Sequence, residues 1–435
     1  MYRKKGIWGI LLLLSLVSCG GSSTSNQGET QTTQTRYFVA LDGDDTNPGT
    51  KEMPFRSLQK AADTASPGDT VYIRQGIYNE RLEVHVSGQK GKIIQFAPFA
   101  HESVTLDGSG INLGKWGGLI DLSDQSYITI RGITLKNSSS NGILLENAHS
   151  ISLLQNSTYN TYSSGIGVWN SQHIVVDGNT IELACNDGSE ESLSVSNSSF
   201  VQVSHNEVKR NGPGTLGGEG IDIKEGSHDV DVFSNHVHDL NNRIGIYVDA
   251  WDKHTYGINV YANRVHDCGE TGMAVASEMG GLVEKVNFYN NVVYHNKYGG
   301  IEVGGWSADG AIVKSNQVHK INILNNTSFE NGEGISIDNP DAQQIVLRNN
   351  LCSHNLGKQI NLSATPLHEI IADHNIETEL EMSVKSFFVD TNQYDFHLKK
   401  GSPAINAGTD AVAGIVGVDF DGKPRKLTDV GAYEF

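Results

Sequence analysis

Proline is scarce in this chain, and so are cysteine, cationic side chains and long apolar runs. Nine prolines in 435 residues, beside 48 glycines and strong internal patterning, exclude a collagen-like or disordered chain. Four cysteines are too few for a disulfide scaffold. Lys and Arg total 32 against 50 Asp and Glu, a formal charge of −18, so no nucleic-acid partner is expected. Hydrophobic residues make up 37%, low for this length. Past the N-terminus no apolar run is long enough to span a bilayer. Length alone suggests two or three domains, a prior that fails for repeat folds.

The N-terminus reads as an address. Arg3, Lys4 and Lys5 precede a short apolar stretch, and residues 1–18 are expected to be a cleaved signal. Leu16-Val17-Ser18-Cys19 resembles the bacterial lipobox, which implies a lipid on Cys19 and an exported, membrane-anchored protein. Residues 19–35 are rich in Ser, Thr, Gly and Gln and read as a flexible tether. The lipid is the expected membrane contact, and a monomer is expected.

What is abundant is repetition. One motif begins with a small residue and alternates apolar and variable positions: GILLEN (142), GIGVWN (165), SLSVSN (192), GIDIKE (220), GIYVDA (245), GMAVAS (272), GIEVGG (300) and GISIDN (334). A second runs apolar-x-apolar-x-x-Asn and ends on Asn156, Asn179, Asn206, Asn235, Asn263, Asn291, Asn326 and Asn350. Period-two alternation predicts strands, and a spacing of roughly 23 to 35 residues predicts a solenoid. Stacked coils would place the asparagines about 4.8 Å apart, in hydrogen-bonding reach. Asn also tolerates the left-handed backbone of a tight corner, and these asparagines are expected to take it. Cys185, Cys268 and Cys352 lie about three coils apart, roughly 14 Å, so free thiols are expected.

The repeat resembles the right-handed parallel β-helix of the pectate-lyase-like superfamily. That resemblance implies an all-β, single-domain solenoid over residues 36–435, with an Asn ladder. The run YFVALDGDDTNPGTKEMPFRSLQKAADTASPGDTVYIRQGIYNE is familiar from the same superfamily. It implies an N-terminal cap over 36–80, with a short helix opening at Phe55-Arg56-Ser57-Leu58 and Asp69-Thr70-Val71-Tyr72-Ile73 entering the first coil. The C-terminal run from FHLKKGSPAINAG to GAYEF resembles a closing segment and is expected to cap the other open end, over 385–435.

In the first motif the second and fourth places point inward, so the third and fifth form an outward face. Charged and aromatic residues gather there in the coils starting at 220, 245, 272 and 300. Asp222 and Asp249 sit in adjacent coils, offset by two residues, with backbones roughly 8 Å apart. That spacing suits an acid and a base flanking a sugar. Glu278 has a similar offset from Asp249 but falls in a turn, and Glu302 lies three coils from Asp222. Lys224 stands between the two aspartates, either as their ion-pair partner or as a general base. Glu219 and Glu225 flank its strand and could help hold a cation. Tyr247, Trp251 and Trp306 are candidates for stacking on sugar rings. Glu146 lies on the same face. His238 and His266, each followed by Asp, form a column with Tyr294, and either a structural or an acid-base role fits them.

These candidates support a carbohydrate-active enzyme acting on a polysaccharide or oligosaccharide, with a glycoside hydrolase using paired carboxylates preferred. A polysaccharide lyase is the alternative, with Lys224 as base. The family 9 pectate-lyase type, which carries a similar N-terminal run, implies a Ca²⁺ pocket built from a DDGxD-like cluster. Here the equivalent stretch reads Asn241-Asn242-Arg243-Ile244-Gly245-Ile246-Tyr247, without those acids. No cofactor is required on the hydrolase reading, and Ca²⁺ enters on the lyase one. A non-catalytic glycan-binding solenoid also fits the pattern.

Overall fold

The structure is a computed structural model describing residues 34–213, 215–304, 317–378 and 386–435. Cys19, the signal and most of the tether lie outside the described residues.

The alternating motifs fold as parallel strands stacked into three sheets. One sheet has 13 strands, from Arg36–Val39 to Ile370–Asp373. A second has 11, from Leu82–Glu83 to Ile360–Asn361, and contains the first motif. A third has 12 short strands, from Gly76–Tyr78 to Ile376–Thr378. Each coil contributes a strand to each sheet, and Ile, Val and Leu at alternate positions fill one continuous interior. This is the right-handed parallel β-helix that the resemblance implied.

The eight predicted ladder asparagines stack as expected. Each Nδ2 donates to the Oδ1 one coil on at 2.9–3.1 Å, and Asn375 extends the row. Their backbone is where the expectation fails. The left-handed residue is the one before each asparagine, as in Gln155, His205, Ser234 and Ala262 at φ 52–56°. That residue makes the corner, so the asparagine after it turns inward, where burial obliges its amide to bond along the stack. A second row, Asn296, Asn331 and Asn355, bonds in the same way at 2.9 and 3.1 Å.

The helix Leu58–Thr64 opens where expected. Ser57 Oγ caps it by accepting from the Lys60 amide, and Leu58, Ala61 and Ala62 are buried against the first coils. The strand Thr70–Ile73 follows. The C-terminal segment departs from the expected end cap. Its Phe387, Phe388, Phe396 and Tyr433 pack against Val292, Tyr294, Phe329 and Leu351, outward residues of three neighbouring coils of the third sheet. It seats on a flank because these coils present large apolar side chains outward, where most coils present polar ones. Cys185, Cys268 and Cys352 are free and buried. No helix among the described residues is long and apolar enough to cross a membrane.

Candidate active site

Asp222 on the strand Ile221–Lys224 pairs in register with Tyr247 on the strand Ile246–Ala250. Asp249 therefore stands two residues further along, level with Lys224. Ile221, Ile223, Ile246 and Val248 take the interior, which turns Asp222, Lys224, Tyr247 and Asp249 outward.

Outward does not mean solvated here. Asp222 is only 3% exposed and Asp249 6%. Turns rising over the sheet supply Glu191, Leu216 and Glu219 to the walls of a cavity of about 280 Å³. Asp222, Lys224, Tyr247, Asp249, Trp251 and Glu278 line the same cavity. A strand-face reading in which these acids are solvated is thus corrected by the turns, whose lengths do not follow the repeat.

Lys224 Nζ lies 2.6 Å from Glu191 Oε1 and 3.9 Å from Asp222 Oδ2. Burial pulls its pKa down, but the charges of Glu191, Asp222 and Asp249 outweigh this and hold it well above the usual lysine value. Burial, then the charge of Asp249, pushes Asp222 well above the usual carboxylate range. Burial raises Asp249 in the same direction, against the pull of Lys224. Asp222 Oδ1, Asp249 Oδ1 and Glu191 Oε2 are buried without a hydrogen-bond partner, so the cavity offers polar atoms that a ligand could satisfy. Tyr247 Oη donates to Glu278 Oε1 at 2.6 Å, which fixes the direction of the turn glutamate.

A cavity of about 480 Å³ adjoins the first and shares Ser189, Lys224 and Glu225 with it. Glu146 belongs to this second compartment. Trp116 and Trp169 meet edge to face there, centroids 5.8 Å apart, and Trp116 is 46% exposed. Trp251, 39% exposed, stands at the acidic compartment. The two compartments form one groove with aromatic surfaces in both. A larger cavity of about 530 Å³ lies on the first sheet, but its acids, Asp229 and Asp231, are not buried.

Other candidates fall elsewhere. Glu302 shares a column with Asp222, Tyr247 and Ala274 but lies three strands away and outside both compartments. It accepts from Thr271 Oγ1 at 2.9 Å, and burial pushes it up to about 7. His238 and His266 sit on the third sheet and line neither compartment. They stack at 5.1 Å, with Tyr294 next in the column. Trp306 lies outside the described residues. Glu191 and Trp116 were not singled out from sequence. Glu191 lies in a turn without repeat register, and Trp116 precedes the first clear copy of the motif.

The residues present do not fit the calcium pocket of the lyase type. Arg243 occupies the expected acidic stretch, donating to Gly217 O at 2.8 Å and lying 3.9 Å from Glu219. In the cavity, the Lys224 ammonium already stands among the carboxylates. Among the described residues no three carboxylates bring oxygens within 4.8 Å of one another.

Comparison with known proteins agrees with this architecture. YwoF of Bacillus subtilis (strain 168), itself uncharacterized, is 30% identical over 309 residues, 62% of this chain. The chain spans 64% of that relative's length. The crystal structure of pectate lyase Pel9A superposes with a TM-score of 0.61 at 15% identity, over 93% of this chain and 97% of that one. The GH136 lacto-N-biosidase from Eubacterium ramulus gives 0.57 at 14%, over 80% and 68%. At those identities the two structures share the fold. The family model for the Pel9A-like, right handed beta helix region matches residues 37–365, and the chain belongs to that family.

Proposed function

We propose that this chain is a glycoside hydrolase acting on a polysaccharide or oligosaccharide, with Asp222 and Asp249 as its acid-base pair. The observation that carries this reading is the state of the buried trio. Lys224 is held as a cation by Glu191, while both aspartates are pushed upward and each keeps an unpartnered buried oxygen. Burial of both carboxyls in one cavity, with the charge of Asp249 acting on Asp222, favours a proton held by one of them. The protonated one donates to the departing glycosidic oxygen. The ionised one, with the Lys224 charge beside it, faces the anomeric carbon or the water that attacks it. Tyr247, expected to stack on a sugar, is only 4% exposed and packs against Ile244, Ala274 and Ala276, so the apolar faces offered to sugar rings are those of Trp251 and the Trp116–Trp169 pair.

The second reading is a polysaccharide lyase, favoured by the presence of a lysine in the cavity of a Pel9A-like chain. Its base must be a neutral amine, and the acids around Lys224 oppose that state. The test is a panel of plant and algal glycans, following reducing ends beside absorbance near 235 nm. Reducing ends without an unsaturated product are expected. An unsaturated product overturns the hydrolase reading, and binding without cleavage of any glycan leaves a non-catalytic binder.

A further inference from the structure

His236 and His238 lie two residues apart on the short strand His236–His238 of the third sheet, so both side chains leave the same face. His266 pairs in register with His238 on the next coil. The three rings converge. His236 Nε2 lies 2.8 Å from His266 Nε2, and one nitrogen from each ring falls within 4.8 Å of the other two. Among the described residues this is the one group of such donors with that spacing. The geometry points to a transition-metal site here, with His236, His238 and His266 as ligands to a zinc-class divalent ion.

The rings around it are set for that role. His238 Nδ1 donates to Asp239 Oδ2 at 2.8 Å, and His266 Nδ1 to Asp267 Oδ2 at 2.6 Å. Each aspartate accepts from Nδ1 and so directs Nε2 to the metal, the usual outer support of a metal-bound histidine; at His238 the ion displaces the proton that Nε2 donates to Glu207 Oε1. His236 donates its Nε2 hydrogen to His266. On coordination that hydrogen resides on His236 Nδ1 instead, so three neutral imidazoles bind. Tetrahedral bonds of about 2.0–2.1 Å hold two nitrogens about 3.3 Å apart, so the rings separate by roughly half an ångström. Glu207 Oε1, 3.3 Å from His238 Nε2, stands close enough to approach as an oxygen ligand.

Charge permits the ion. Glu207, Asp239 and Asp267 face the site. Lys209 is held by Glu207 at 2.9 Å, and the Arg264 guanidinium is engaged by the hydroxyls of Tyr294 and Tyr433. Tyr294 stacks on His266 at 4.6 Å and keeps the ring from turning away. Imidazole donors select Zn²⁺, Co²⁺, Ni²⁺ or Cu²⁺ over Ca²⁺, which takes oxygen ligands. The site lies on a different sheet from the acidic groove and stands independently of the hydrolase reading.

The test titrates the untagged full-length protein with Co²⁺ and follows the visible absorption of the ion, then displaces it with Zn²⁺. One equivalent is expected, with no competition from Ca²⁺. His236→Asn and His266→Asn should each abolish the band, and Asp267→Asn should weaken binding about 10–100-fold. No band in the wild type, or a band that survives both histidine substitutions, overturns the site. Should those variants fail to fold, the X-ray absorption spectrum of the cobalt-loaded wild type decides. Three imidazoles are expected in it, and fewer than three overturn the proposal.

Discussion

Lys224 Nζ lies 2.6 Å from Oε1 of Glu191, 33 residues earlier in a turn that rises over the sheet. Both side chains are largely buried, at 17% and 7% exposure. Removing one partner of a buried pair strands the other, at a cost of about 3 kcal/mol. Glu191→Gln and Lys224→Met are each expected to lower stability by that order. The double variant should lose less than the sum of the two. Thermal and urea unfolding of all four proteins measure the coupling, and strictly additive losses would contradict a direct ion pair.

Asp222 and Asp249 are expected to be needed for cleavage and costly to the fold. Asp222→Asn and Asp249→Asn keep the shape while removing the proton transfer, so the rate should fall about 10²–10⁴-fold in each. Neither should unfold the protein, since a neutral amide is easier to bury than a carboxylate. Reducing-end assays beside melting curves check both halves. Full activity in both variants would remove the pair from the mechanism.

Much of this was legible because repetition is a strong signal. The two-residue alternation placed Asp222, Lys224, Tyr247 and Asp249 on one face, and the register bears out their offset. The cap helix was legible by another route, the resemblance of the run around Phe55-Arg56-Ser57-Leu58 to the superfamily's N-terminal segment. What the repeat did not carry was harder to read. Glu191 and Leu216 reach the cavity from turns whose lengths vary between coils, so no periodicity points to them. The burial of the two aspartates depends on those turns and was missed with them. The histidine column was visible, but His236 was not, because Arg264 breaks its repeat in the next coil.

Glu302 should contribute a loss of stability as pH rises from about 4.5 to 7, against the opposite contribution of His236, whose pKa burial lowers to about 4. Burial raises Glu302 from its ordinary 4.5 to about 7. Between those values the folded state holds a proton that the unfolded state has released. The slope with pH is therefore negative, and the penalty is complete above the folded value. The shift corresponds to at most about 3 kcal/mol. Glu219, also raised to about 7 by burial and by Glu191, acts in the same direction. The change in urea midpoint across this range should be more negative in the wild type than in Glu302→Gln. An identical slope in the variant would assign the effect elsewhere.

The ladder should matter most at its centre. Asn263 is fully buried, and its Oδ1 accepts from both the backbone N and Nδ2 of Asn235. Asn263→Ala leaves those donors unsatisfied, at about 1–3 kcal/mol each. Asn375 sits at the end of the row and is only half-buried, so Asn375→Ala should cost less. Melting temperatures of the two variants test the order, and equal losses would mean that the ladder contributes by packing alone.

Calcium should be dispensable for cleavage. The stretch where the lyase type carries acids holds Arg243, whose guanidinium is spent on Gly217 O and faces Glu219. Within the cavity, Lys224 supplies the positive charge that a calcium ion would otherwise bring to Asp222 and Glu191. Chelation is therefore expected to leave kcat/KM on the best substrate unchanged. The histidine trio lies on another sheet, so any transition metal removed from it should alter stability and not turnover. The informative comparison is recovery after chelation. Activity that is lost and then restored by Ca²⁺, but not by Zn²⁺, would return the lyase chemistry to this cavity and make Lys224 its base.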